Sequence, residues 1–141
     1  MGKILVSKCL LGVACKYDGT HNRNEKVLSF LKGKEYVSFC PEVAGGLKIP
    51  RQPSEILAGT DQVISKTGED VTEFFEKGAK LTLKFAIQQG VSMAILKSAS
   101  PSCGAGEVYD GTFTHTKIKG NGITAQLLLD NGISVLTEKD L

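Results

Sequence analysis

The chain carries four cysteines, at positions 9, 15, 40 and 103. No two are spaced as C-x-x-C, so neither a zinc ribbon nor a thioredoxin-type dithiol has local support. Three share a different context. Cys9 follows KILVSK, Cys40 ends EYVSFC, and Cys103 sits in KSASPSCGAG, directly after the apolar run of VSMAILK. If those runs are parallel strands, the three thiols meet at one sheet edge. Soft thiolates select zinc or iron–sulfur clusters. Three ligands leave one metal position open, which catalytic sites need and structural sites lack. A free cysteine is often only a small buried apolar residue. Three at equivalent strand ends, each beside glycine, proline or a polar run, favour a shared site over coincidence.

The neighbours of these thiols add chemistry. Glu42 is two residues from Cys40, so it lies within a few ångströms of that thiol (about 3.8 Å per residue). A carboxylate there can act as general acid or base; its structural alternative is a surface charge or a helix-terminus partner. Ser98, Ser100 and Ser102 offer hydroxyls, and Gly104 and Gly106 let the backbone approach a ligand. Lys97 and Arg51 suit an anionic group, or are simply solvated. Tyr109 and Asp110, in EVYDGTFTH, can contact a flat substrate or merely form a turn; Tyr17 and Asp18 carry the same two readings. Cys15 is a leftover thiol. It is a resting-state ligand, a sulfur acceptor or a packed residue, and the first and last are favoured. His21 and His115 lie in polar sequence without metal-ligand spacing.

The elements that must position these residues alternate. Residues 3–8 form a β-branched strand. Asn22 starts a helix, with Glu25 three residues on as in a capping box, and Gly33 closes it. Residues 35–40 are a second strand, and 41–60, holding three of the four prolines, a long loop. DQVISKTGEDVT reads as an extended pair about a Thr67-Gly68 turn. Asp70 and Glu73 repeat the capping pattern and open the longest helix, whose apolar stripe is wide enough for the helix to be well buried. Gly90 ends it. VSMAILK is the next strand, ITAQLLLDNG the last helix and ISVLT the last strand. The expected fold is a single α/β domain over 1–141: a three-layer Rossmann-like arrangement with a mostly parallel sheet of about four strands, helices on both faces, and a possible small β-hairpin. Ligands of such sheets bind outside the carboxyl ends of the strands. GNGITA resembles a dinucleotide pattern, but no second βαβ half follows; its glycines open the last helix, whose N-terminus can face a ligand.

Composition limits the function classes. With 41% hydrophobic and 23% charged residues, the 141-residue chain is of ordinary globular type. A net charge of +2 gives no case for nucleic acid. No apolar run is long enough for a membrane span. The first residues read as a strand rather than a signal peptide, so a cytoplasmic location, with thiols kept reduced, is expected. Nothing indicates an oligomeric state.

Taken together, CLLGVACKYDG, CPEVAGGLKIPRQPSEI, LKSASPSCG and YDGTF resemble a bacterial family of unknown function related to the thiouracil desulfidases, from Ile4 to Leu136. The resemblance implies a [4Fe–4S] cluster held by Cys9, Cys40 and Cys103, and non-redox removal of sulfur from a thiolated nucleobase or related small molecule. It places Glu42 and Ser100 near the chemistry. Lys97, Ser98, Tyr109 and Asp110 are added here as candidate substrate contacts. Two rival classes remain: a regulatory or non-catalytic protein whose thiolates hold zinc, and a metal-free enzyme with Cys103 as nucleophile.

Overall fold

The computed structural model describes residues 2–141; Met1, where the expected domain begins, lies outside the described residues. The four central strands are β1 (Lys3–Ser7), β2 (Tyr36–Phe39), β5 (Val91–Leu96) and β8 (Ser134–Thr137). They form one sheet in the order β2-β1-β5-β8, and every pairing is parallel. Parallel strands need crossovers that cover both faces, and alternation along the strands supplies apolar residues to each. Leu5, Ala94 and Leu96 pack on one face with Ala86 of α3 (Thr72–Gln89) and Ala125 and Leu128 of α4 (Ile123–Asp130). Ile4, Val6 and Ile95 pack on the other with Val27 and Leu31 of α1 (Glu25–Leu31). The expected three-layer α/β architecture is therefore present.

Two antiparallel pairs flank the sheet: β3 (Ser54–Ile56) with β4 (Val63–Ser65), and β6 (Glu107–Tyr109) with β7 (Lys117–Lys119). The Thr67-Gly68 turn exists, with an isolated Ile64–Asp70 bridge, but the main partner of β4 is β3. Residues 41–60 are not wholly loop. Pro41 opens the short helix α2 (Pro41–Ala44), because proline at the first helical position loses no hydrogen bond. Glycine seats this helix. A Cβ at Gly78 on α3 would strike the Pro41 carbonyl, and one at Gly45 would strike the Phe74 carbonyl, both well inside the 3.0 Å that real Cβ contacts respect.

Helix starts also differ from the sequence pattern. The cap of α1 is Asn24, whose side chain accepts from Val27 N, and not Asn22. Asp70 turns back onto Thr72 and gives α3 no capping box. The stripe Phe75, Gly78, Ala79, Thr82 and Ala86 is buried as expected. The wider face is not: Ile87 is 65% exposed, and Phe74 and Leu81 are also exposed. Among the described residues no helix is long and apolar enough to cross a membrane.

Candidate thiol site at the carboxyl edge of the sheet

Because β1, β2 and β5 run parallel, their carboxyl ends share one edge, and a cavity of about 410 Å³ opens there. Cys9, Cys15, Cys40 and Cys103 all line it, together with Glu42, Arg51, Ser100 and Ser102. Cys9 lies in a 3-10 turn directly after β1 (Lys8–Leu11), and Cys40 is the residue between β2 and α2. Cys103 sits on the tight loop after β5.

That loop is built by local bonds. The Ser100 hydroxyl accepts from Ser102 N and Cys103 N, both at 3.1 Å. Ala99 adopts a left-handed φ of 61°. The first amides of α4 bind the loop from behind: Ile123 N donates to Pro101 O, and Thr124 N and Ala125 N to Ser102 O. A Cβ at Gly122 would collide with the Ser102 carbonyl, so the glycine of GNGITA permits this contact. The α4 N-terminus that the sequence left open to a ligand is thus engaged with the Cys103 loop.

The thiols differ in electrostatics. The neighbouring Cys15 thiol holds Cys9 and Cys40 below the ordinary thiol value, each at about 7 against burial, and is itself pushed up. Burial pushes Cys103 up to about 12, although Ser7 Oγ and Ser102 Oγ each lie 3.5 Å from its sulfur. Cys9 accepts from Asn22 Nδ2 at 3.5 Å. Among the described residues, no three His, Cys, Asp or Glu side chains are grouped tightly enough to hold one metal ion. Two thiolates on one tetrahedral zinc, with Zn–S near 2.3 Å, stand only about 3.8 Å apart.

Glu42 is held on both oxygens. Arg51 Nε donates to Oε1 at 3.1 Å, Arg51 Nη2 lies 3.1 Å from the same oxygen, and Ser102 Oγ donates to Oε2 at 2.9 Å. The Arg51 side chain is only 9% exposed and also donates to the carbonyls of Cys15 and Lys48. Ser100 Oγ lies 3.0 Å from Ser102 Oγ, so the two serines join Glu42 in one chain of hydroxyls.

The remaining candidates separate. Lys97, Ser98 and Tyr109 line the cavity. Lys97 is paired with Glu138 at 3.1 Å, and Glu138 also accepts from Ser98 N at 2.7 Å and Ser98 Oγ at 2.8 Å. Sequence reading missed Glu138; a lone acid after the last strand carries no signal of a partner 40 residues away. Asp110 does not line the cavity, because its carboxylate closes a turn onto Thr112 N and Oγ1. His115 and Lys117, from β7 and the turn before it, do reach the cavity. The β6–β7 hairpin that carries them was not expected.

Residues 4–140 match the sequence profile of the 2-thiouracil desulfurase family. The chain is 44% identical over 146 residues to the uncharacterised protein YbbK of Bacillus subtilis (strain 168), covering 98% of this chain and 97% of the relative. It superposes on the solved structure of a [4Fe-4S]-dependent thiouracil desulfidase, TudS (DUF523Vcz), with a TM-score of 0.91 and 42% identity, covering 100% of this chain and 93% of the other.

Proposed function

The chain belongs to the 2-thiouracil desulfurase family, and from that premise we propose that it removes sulfur from a thiolated nucleobase, using a [4Fe–4S] cluster held by Cys9, Cys40 and Cys103. The net reaction is hydrolytic: the thiocarbonyl and water give a carbonyl and hydrogen sulfide. The observation that carries the reading is the meeting of all four thiols and Glu42 in one cavity, in a chain superposable on a [4Fe-4S]-dependent relative.

The donor set fits such a cluster. The donors are soft, and three come from three separate strand ends. When bound, the cluster supplies a thiophilic Lewis acid at the iron that no cysteine holds.

The chain's own residues handle protons. Arg51 fills Oε1 of Glu42, and Ser102 takes one lone pair of Oε2, leaving another for the hydrogen of a water. Glu42 is therefore the general base. Ser100 has both lone pairs engaged by backbone N–H groups, so its hydroxyl can only donate. Its one proton points to Ser102 Oγ, 3.0 Å away, and turns to the substrate when the base enters. The proton that Glu42 takes from water leaves with the departing sulfide and does not pass through Ser100, which has no lone pair to accept it. Lys97, Ser98 and Tyr109 serve as walls of the substrate cavity, with Lys97 and Ser98 fixed by Glu138.

The test is anaerobic reconstitution with iron and sulfide, followed by turnover of 2-thiouracil to uracil. A brown, cluster-loaded protein that releases sulfide from a thiolated base supports the reading. A cluster-loaded protein that turns over no thiolated base removes the desulfidase activity, and a protein that takes up only zinc removes the cluster.

A further inference from the structure

Two hydrogen-bond donors at the site have no part in proton transfer. Ser7, the last residue of β1, is 3% exposed. Its oxygen accepts from Lys97 N at 3.1 Å, so its single proton is free to point to Cys103 Sγ, 3.5 Å away. Ser102 is as near to that sulfur, but its one proton has a better acceptor in the Glu42 carboxylate at 2.9 Å. Ser7 is therefore the hydroxyl donor on which Cys103 depends. Asn22 holds the matching place at Cys9. Its backbone N–H donates to Cys9 O at 2.9 Å, and its side-chain amide donates to Cys9 Sγ at 3.5 Å. Ser7 ends the strand as expected, and Asn22, read as a helix start, is not the cap; both reach a sulfur.

Resting on the cluster reading above, we propose that Ser7 and Asn22 are positioning residues that hold hydrogens on the sulfurs of Cys103 and Cys9 and so set the electron density of the cluster those thiolates carry. A hydrogen bond to a ligating sulfur draws charge from the metal, and cluster potentials respond to such bonds. With the donors in place the cluster is easier to reduce and its irons are better acceptors of a substrate sulfur. Without them the thiolates return that charge.

The experiment compares the reduction potential of the reconstituted parent with Ser7→Ala, Asn22→Ala and Ser7→Thr, by anaerobic redox titration followed by electron paramagnetic resonance. Only chains that retain a cluster contribute to the signal, so a loss of iron does not imitate a shift. Both alanine variants are expected at more negative potential than the parent, and Ser7→Thr, which keeps the hydroxyl, at the parent's value. A parent-like potential in either alanine variant overturns the proposal. Should Ser7→Ala fail to fold, because Lys97 N–H is orphaned, Asn22→Ala decides alone, its side chain being only part-buried. A parent that takes up no cluster fails the family reading itself, before any variant is compared.

Discussion

Replacing Gly78 by alanine sets two effects of opposite sign against each other. Within α3, Gly→Ala should stabilise the helix by about 1 kcal/mol. The added methyl, however, meets the Pro41 carbonyl well inside 3.0 Å. That neighbour is backbone, not the tip of a flexible side chain, so α2 itself must retreat to restore ordinary contact beyond 3.4 Å. Overpacking of this kind costs about 1–3 kcal/mol, and an immovable neighbour puts it at the upper end. The net expectation is a loss of about 1–2 kcal/mol, which lowers Tm by roughly 3–8 °C in a domain of this size. The displacement also moves the helix that begins at Pro41 and carries Glu42, beside Cys40. A shift of about 1 Å at a reacting group costs on the order of a hundredfold in rate. Thermal unfolding by circular dichroism gives the first number, and turnover per cluster the second. Lys84→Ala, at an exposed position on the same helix, is the control and should stay within about 0.5 kcal/mol of the parent. If Gly78→Ala melts at or above the parent, helix propensity has won, and close α2–α3 packing does not fix the position of Glu42.

Further outcomes are expected. Alanine at Cys9, Cys40 or Cys103 should abolish iron retention after anaerobic reconstitution, whereas Cys15→Ala should keep it; equal iron in all four contradicts the ligand assignment. Glu42→Gln should keep the cluster spectrum and slow turnover of a thiolated pyrimidine by about a hundredfold, the usual scale for a lost general base; near-normal turnover per cluster removes Glu42 from the mechanism. Burial alone would push the Glu138 carboxyl up, but the bonds from Ser98 and the Lys97 ammonium outweigh it and hold the group below its ordinary value. Its stabilising contribution is therefore complete above the unfolded value of 4.5 and is lost as pH falls through the lowered folded value. Denaturant unfolding at pH 7 and pH 3 should show a smaller acid-induced loss in Glu138→Gln than in the parent; identical losses rule out this ion pair as a contributor.

The parallel sheet was legible because its strands are β-branched runs separated by helical periodicity, and both signals follow from burial. The three cysteines were legible as strand ends, so their meeting in one cavity followed from topology. What failed was short or long-range. Pro41 was read as a loop signal, although it is equally a helix opener. Lys117–Lys119 is three exposed residues long, and only its pairing with Glu107–Tyr109 makes it a strand. Asn22 was read as the cap from its spacing to Glu25; the backbone put Asn24 at the helix and left Asn22 for Cys9. Arg51 was read as an anion holder or a solvated cation; the anion it holds is the chain's own Glu42, with two carbonyls beside it.

The strand order β2-β1-β5 bears on when the site comes into being. Cys9 and Cys40 are 31 positions apart in sequence, and Cys103 lies a further 63 beyond Cys40. No local segment brings them together. Non-local parallel pairing is slow relative to helix formation, so the thiols become neighbours only after most of the chain has been synthesised and the sheet has closed. Core clusters on both faces of that sheet are built from aliphatic side chains and not from the thiol site alone. On the cluster reading proposed above, the chain is expected to fold before iron and sulfide are inserted, unlike a zinc finger, in which ion and fold arrive together. That reading calls for a delivery step acting on an already folded acceptor.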